Sequence, residues 1–198
     1  REAVRAVSSD YGNYSAHLFL ANSYDQLRDP NLFDLRFETA ANTEYLLANL
    51  LAPPDAGTLS PAISQQEFSR FFQRDRLGLH SATEYLSRGA WTQAAGQYGI
   101  LGNAAYSLDG FFRSDPGQGP NAAVEQWMLA ASIKQQIGSQ DSVFATVRHF
   151  ESENGDTAQR YDPSIGSPDY HYKEFLEPMV NVGYHHEWRP GAHTLFLA

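Results

Sequence analysis

The consecutive residues His185, His186 and Glu187 are the side chains in this sequence best able to bind a metal ion. Imidazole and carboxylate groups are common zinc ligands, and a site needs three or four of them around one ion. These residues fall in a segment that alternates like a β-strand, where neighbouring side chains project to opposite faces. Only His185 and Glu187 then share a face, so the pattern favours a polar surface over a metal site, and no cofactor is indicated.

A second group of candidates lies in the polar segment from Glu153 to Glu177, which mixes aromatic and charged residues. On a loop carried by a rigid scaffold, such side chains can recognise sugars or peptides. The alternative is a solvated loop that only shields the structure beneath it, since no spacing in the segment is specific. The candidates for ligand contact are Arg160, Tyr161, Tyr170, His171 and Tyr172.

Composition and motifs argue against several classes of function. The 198-residue chain has a net charge of -9 and an isoelectric point near 5.1, so nothing predicts the basic surface that nucleic-acid binding requires. It contains no cysteine, which excludes disulfides and thiolate chemistry within it. The sequence has no G-x-S-x-G, H-E-x-x-H or P-loop pattern, the signatures of common hydrolases, metalloproteases and nucleotide-binding proteins. We therefore predict a protein that is not an enzyme.

The elements that would position these residues are strands with a regular alternation. From Glu125 to Ile137, apolar side chains such as Trp127 and Leu129 alternate with polar ones such as Gln126 and Lys134. A helix would mix the two sets, whereas a strand separates them onto two faces. The sequence predicts seven antiparallel strands: Arg76–Ser87, Trp91–Leu101, Ala104–Arg113, Glu125–Ile137, Ser142–Ser152, Met179–Trp188 and one that begins at His193.

The predicted strands are long enough to cross a membrane. They contain about 10 to 13 residues, whereas soluble strands average about 5 to 6 and tilted membrane strands need about 9 to 11. Tight links alternate with long polar loops, as they do in outer-membrane β-barrels. The polar faces would then line a lumen, and the lumen-facing candidates are Asp109, Arg113, Gln126, Lys134, His185 and Glu187.

Aromatic residues gather near the predicted strand ends, where a ring with an apolar body and a polar tip is favoured at a membrane interface. We expect Trp188 on the side of the tight turns and a girdle on the side of the long loops. The alternative is that these rings form the core of a soluble β-sandwich, which periodicity alone does not exclude. The expected loop-side girdle consists of Trp91, Phe111, Phe112, Trp127 and Phe150.

The N-terminal third has helical spacing instead. Apolar residues recur at three- and four-residue steps over Tyr14–Leu27. A second helix is predicted over Thr39–Leu51, where the pair Pro53-Pro54 ends it. Residues 55–75 combine a Pro/Gly/Ser/Thr linker with a capping-box spacing that predicts a short helix from Ser64 to Phe72. The large, small and aromatic positions of a tetratricopeptide-like helix pair are matched by Leu20, Ala21 and Tyr24.

Five further short sequence segments accompany this helix pair: Gln65-Gln66-Glu67-Phe68, Tyr106-Ser107-Leu108, the loop Asp115 to Asn121, Gln140 to Phe144, and Gly183 to Trp188. Together they resemble bacterial envelope proteins that fuse tetratricopeptide repeats to an outer-membrane β-barrel similar to that of TonB-dependent receptors. The resemblance implies an α+β fold with three parts. These are a helical tetratricopeptide-like segment (1–54), a linker with a short helix (55–75) and a partial up-and-down antiparallel β-barrel of about seven strands (76–198).

The resemblance also implies a place in the bacterial outer membrane, with lipid around the barrel and the N-terminal helices in the periplasm. We expect a pore or receptor for passage or uptake of an unidentified solute; neither a plug domain nor a TonB box is visible. One alternative is an envelope scaffold whose helical repeats bind a protein partner and whose barrel is an anchor. Another is a soluble, secreted helix-plus-β enzyme or binding module. Both ends of the sequence look cut, so we expect a fragment with an open, curved sheet that aggregates by itself.

Overall fold

The described part of the chain contains three α-helices followed by seven strands. The computed structural model describes residues 1–25, 39–56, 59–60, 76–158, 162 and 164–198. The helices are α1 (Glu2–Ser9), α2 (Tyr14–Asp25) and α3 (Ala40–Leu51). The strands are β1 (Arg76–Tyr85), β2 (Trp91–Leu101), β3 (Ala104–Asp115), β4 (Val124–Gln136), β5 (Asp141–Asn154), β6 (Tyr172–Arg189) and β7 (Ala192–Leu197).

The two predicted long helices are confirmed. α2 begins at Tyr14 as expected and is described to Asp25. α3 begins after Thr39, whose hydroxyl accepts a hydrogen bond from the Asn42 amide, and it ends just before the predicted proline pair. The predicted helix from Ser64 to Phe72 lies outside the described residues.

Packing joins the three helices into one unit. Ala3 and Val7 of α1 form a small apolar cluster with Leu20 of α2. The buried His17 of α2 connects to α3, because its Nδ1 lies 2.5 Å from Glu44 Oε2 while its Nε2 lies 2.9 Å from the Tyr11 carbonyl oxygen. Both ring nitrogens of His17 are therefore engaged, one with each neighbouring element.

The strands form a single antiparallel sheet in sequential order, β1 to β7. Each strand pairs with the next, so that Leu108 lies opposite Ala131, Ala131 opposite Val147, and Val147 opposite Val180. The predicted α+β class and the up-and-down sheet are confirmed. The sheet is open, since β1 and β7 pair on one side only within the described chain.

The sixth strand is longer than its predicted range of Met179–Trp188 and begins at Tyr172. Its register with β5 shifts because Glu177 and Pro178 together face His149, which is a β-bulge. Proline cannot donate to the sheet and is tolerated at such positions. The bulge interrupts the alternation that marks a strand, so the expected loop from Glu153 to Glu177 was too long; the connection covers residues 155–171.

The sheet curves around α3. Leu46 and Leu50 of α3 belong to one buried cluster, whose other members come from β2, β3, β5 and β7 or from the segment before the sheet. Five strand spacings in a flat sheet would separate β2 from β7 by about 24 Å, twice the diameter of about 10–12 Å of a helix with its side chains. One helix can contact both only if the sheet wraps around it. We call the face toward α3 the inner face and the opposite one the outer face.

Candidate functional site

Large apolar side chains cover the outer face and are exposed. In the middle of the sheet Leu129 is 57% exposed, Ile133 51% and Val182 50%. A continuous exposed apolar surface of this kind marks a contact with lipid or with another protein. Other exposed apolar residues on this face are Leu77, Leu79, Leu108, Val143, Val147, Phe175, Val180 and Phe196.

Aromatic rings lie toward both ends of the outer-face strands. At the loop edge, the rings of Trp91 and Phe112 have centroids 5.1 Å apart. The indole of Trp127 packs on His149 at 4.6 Å and donates to Glu151 Oε2 at 3.2 Å. At the turn edge, Trp188 donates from its indole nitrogen to Thr194 Oγ1 at 2.9 Å. Trp91, Phe112 and Trp127 thus lie on the outer face toward the loop edge, and Trp188 lies on it toward the turn edge.

Two aromatic residues assigned to the loop-side girdle were placed wrongly. Phe111 and Phe150 lie on the inner face, and Phe150 is fully buried there. The reason is the two-residue period of a strand, which sends Phe111 and its neighbour Phe112 to opposite faces. A position near a strand end therefore does not by itself put an aromatic residue in the girdle, because its side chain must also lie on the outer face.

The inner face carries many polar side chains beside the apolar cluster, and most of it is buried. All six residues predicted to face a lumen lie on it: Asp109, Gln126, Lys134 and His185 are buried, while Arg113 and Glu187 are partly exposed. Polar residues that the sequence reasoning did not single out continue the surface. They are Ser107, Ser142, Thr146, Arg148, Ser152, Asn154 and Asn181.

Two buried cationic side chains of this face hold α3 at its two ends. Lys134 Nζ donates to the carbonyl oxygens of Asn49 and Leu50, at 2.7 and 2.6 Å. These carbonyls belong to the last turn of α3, where the helix dipole favours a positive charge. Near the other end, Arg148 Nη1 donates to Asn42 Oδ1 at 2.7 Å, and its guanidinium lies 5.0 Å from the Tyr45 ring centroid.

A short segment after α3 also lies on the inner face. Ser107 Oγ and the Tyr45 hydroxyl each donate to the Leu59 carbonyl oxygen at 3.0 Å. Ser60 Oγ donates to Asp109 Oδ1 at 2.7 Å. Burial raises the pKa of the Tyr45 phenol, so this hydroxyl remains a neutral donor.

The loops at one edge are braced to each other. Asn121 Nδ2 donates to the carbonyl oxygens of Ser167 and Tyr170, at 2.9 and 2.7 Å. The Ser167 amide donates to Asp156 Oδ2 at 2.8 Å. Beside these contacts lies an open pocket of about 420 Å³, whose lining includes Arg113, Asp115, Gln118, Pro120, Asp156, Thr157 and Ile165.

The predicted loop contacts separate into three groups. Tyr170 and His171 are exposed at the end of the connection, and His171 Nε2 lies 3.3 Å from Glu153 Oε1. Tyr172 is the first residue of β6 and not a loop residue. Arg160 and Tyr161 lie outside the described residues. The pocket residues carried no specific sequence spacing, and only the bracing of two loops brings them together.

His185, His186 and Glu187 project to alternating faces of β6, as strand geometry requires. His185 lies on the inner face, where its Nε2 is 2.9 Å from His193 Nδ1. His186 lies on the outer face, where Nδ1 is 2.8 Å from Asp141 Oδ1, an oxygen that also accepts from the Tyr184 hydroxyl. Within the described ranges, no three His, Cys, Asp or Glu side chains converge as a metal site would need.

Comparison with protein-family models, with curated proteins and with solved structures finds no match to this chain. Among the described helices, none combines the length and the apolar character needed to cross a membrane. The geometry of the two faces of the sheet therefore carries the functional interpretation.

Proposed function

We propose that residues 76–198 form part of the wall of a bacterial outer-membrane β-barrel that serves passage or uptake of a solute. The observation that carries this proposal is the reversed distribution of side chains. Apolar residues such as Leu129, Ile133 and Val182 are exposed on the outer face, and polar residues such as Gln126 and Lys134 are buried on the inner face. In a membrane barrel the outward face meets lipid and the interior is polar.

The free energy of transfer of its side chains favours lipid over water around the outer face. Removing one Leu, Ile or Val side chain from water is worth about 1.5–3 kcal/mol, and the outer face leaves many of them exposed. In a soluble β-sandwich the same residues would be covered by a second sheet. Within the described chain, α3 packs on the inner face, so the outer face is the one that needs an apolar surrounding.

The two edges of the sheet support an orientation across the membrane. Tight links at 102–103, 137–140 and 190–191 share one edge, while the longer connections 116–123 and 155–171 share the other. Outer-membrane barrels have short periplasmic turns and long external loops. The braced loops and their pocket would then meet the solute from outside, and the turns would lie in the periplasm with the N-terminal helices.

A second function, an envelope scaffold anchored by the barrel, is favoured by the position of α3. The helix occupies the inner face that a pore would leave open. In this alternative the tetratricopeptide-like helices bind a protein partner, and no solute crosses.

Cell fractionation tests the membrane assignment. The intact protein, expressed in a Gram-negative host, should sediment with outer membranes and resist extraction with alkaline carbonate, while a periplasmic reporter in the same cells is released. Recovery in the soluble fraction would exclude the barrel. Glucose flux into liposomes that contain the protein then separates a pore from an anchor, because only a pore exceeds protein-free liposomes.

A further inference from the structure

α3 lies across the inner face in a position that would block a lumen. Its Leu46 and Leu50 belong to a buried cluster that reaches from Tyr98 of β2 to Leu197 of β7 on the curved wall. The two basic residues that hold it are spaced to match the α3 residues that they contact. Lys134 and Arg148 are four residues apart in register, or about 13 Å along the strands, and the rise from Asn42 to Leu50 is about 12 Å.

The interface between α3 and the wall combines an apolar cluster with polar groups that are incompletely satisfied. Leu46 and Leu50 pack in the apolar cluster, whereas Asn49 Oδ1, Asp109 Oδ2 and Asn181 Nδ2 are buried without a hydrogen-bond partner in the described part of the chain. Each such atom makes the docked state less favourable and offsets part of the stabilisation from the apolar cluster. The docked and displaced states are therefore closer in free energy than a fully apolar interface would allow.

A glycine lies where Leu50 of α3 meets the wall. Gly183 lies in the middle of β6, and a Cβ added there would come within 2.7 Å of Leu50 Cδ1. Glycine inside a strand weakens it and often marks a site where another group approaches closely. At this position the missing side chain provides the space that Leu50 fills.

We propose that α3 is a plug helix that closes the lumen, held by Lys134 and Arg148, and that its displacement opens the path for the solute. This inference rests on the proposed function. In the docked state Leu50 fills the space at Gly183 and the two cations engage the two ends of the helix. In the displaced state water and solute replace α3 on the polar inner face.

A reversible cross-link tests the plug. The substitutions Leu50→Cys and Gly183→Cys, in a cysteine-free form of the intact protein, place two thiols where Leu50 now meets the strand. We expect an oxidised disulfide to form and glucose flux into liposomes to fall to the protein-free level. Reduction of the same sample should restore the flux, so each preparation is its own control for insertion and folding.

A second variant should displace α3 from the wall, whereas the disulfide holds it there. Gly183→Leu fills the space of Leu50, and overpacking of one site should raise the displaced population and the glucose flux by about tenfold. The matched control is Gly110→Ala on the outer face, where an added Cβ meets Leu129 Cδ2 at an ordinary 3.6 Å. This control should leave the flux unchanged.

The remaining outcomes separate the plug from the pore. Equal flux in the oxidised, reduced and Gly183→Leu forms would exclude the plug and retain the pore. Absence of flux in every form of a protein that fractionates with outer membranes would exclude both, leaving the anchor. Failure of the cross-link to form in correctly inserted protein would show that α3 does not dock at Gly183 and would overturn the plug.

Discussion

Lys134 brings a basic group into a site that is only 1% exposed. A buried ammonium is costly unless it is paired or hydrogen-bonded, and here two carbonyl oxygens of the last turn of α3 accept from it. The alternation of polar and apolar residues placed Lys134 on the polar face. It did not indicate the partners, because they lie more than eighty positions earlier in the chain.

Replacement of Lys134 by methionine should loosen α3. The volume is kept, but two carbonyls at the end of the helix lose their donor, which costs about 1–3 kcal/mol. Hydrogen exchange of the α3 amides should therefore accelerate about tenfold, while exchange in α1 stays the same. Lys134→Arg, which keeps the charge and donors, is the matched control. Unchanged exchange in the methionine variant would mean that Lys134 does not hold the helix.

At the outer face, Leu129→Arg should impair insertion into lipid. An arginine near the middle of a lipid-facing strand costs about 2–4 kcal/mol, and Leu129 lies near the middle of β4. Urea titration of folding into lipid vesicles measures this difference directly. Ser139→Arg, in the exposed turn after β4, should have little effect. Equal stability of the two variants would indicate that Leu129 does not contact hydrocarbon.

At the scale of elements, α2 and α3 are coupled through His17. The substitution His17→Phe leaves Glu44 and the Tyr11 carbonyl without their hydrogen-bond partner, at a cost of about 1–3 kcal/mol. We expect faster hydrogen exchange in both helices and no change in the strands. Ser23→Ala is the control, because the Ser23 hydroxyl donates within α2 to the Phe19 carbonyl oxygen. Loss of protection in α2 alone would contradict the coupling.

Local sequence signals defined most elements but not their packing. The bounds of β2 were predicted as observed, and Thr39 and Pro53 marked the limits of α3, because alternation, caps and prolines act over a few residues. The start of β6 was missed where Pro178 and the bulge break the alternation. The position of α3 on the inner face was also not predicted, because the contact between Asn42 and Arg148 joins residues 106 positions apart.

The candidate site could be predicted in part for the same reason. The two-residue period assigned Asp109 and Lys134 to one face. It gave no indication of Arg148, which lies in a strand with a weaker pattern, or of the loop pocket beside Arg113. Both depend on tertiary contacts that no local pattern encodes.

At the scale of the whole molecule, the distribution of polarity is opposite to that of an isolated soluble domain. The helix-covered side of the sheet carries buried polar groups, and the uncovered side carries Leu, Ile, Val and aromatic residues. The sheet is also open at β1 and β7 within the described chain. Strand edges in lipid require partners for their amides and carbonyls. Further strands would supply them in a closed barrel.

Spin labels attached to single cysteines at Leu129, Ile133 and Val182 in the intact protein, inserted into outer membranes, test the lipid contact of the outer face most directly. Collision rates with oxygen, which concentrates in hydrocarbon, should be high and those with a water-soluble nickel complex low. A label at Ser139 should show the reverse. Low collision rates with both reagents at the three positions would place them inside a dry protein interior and contradict the membrane barrel.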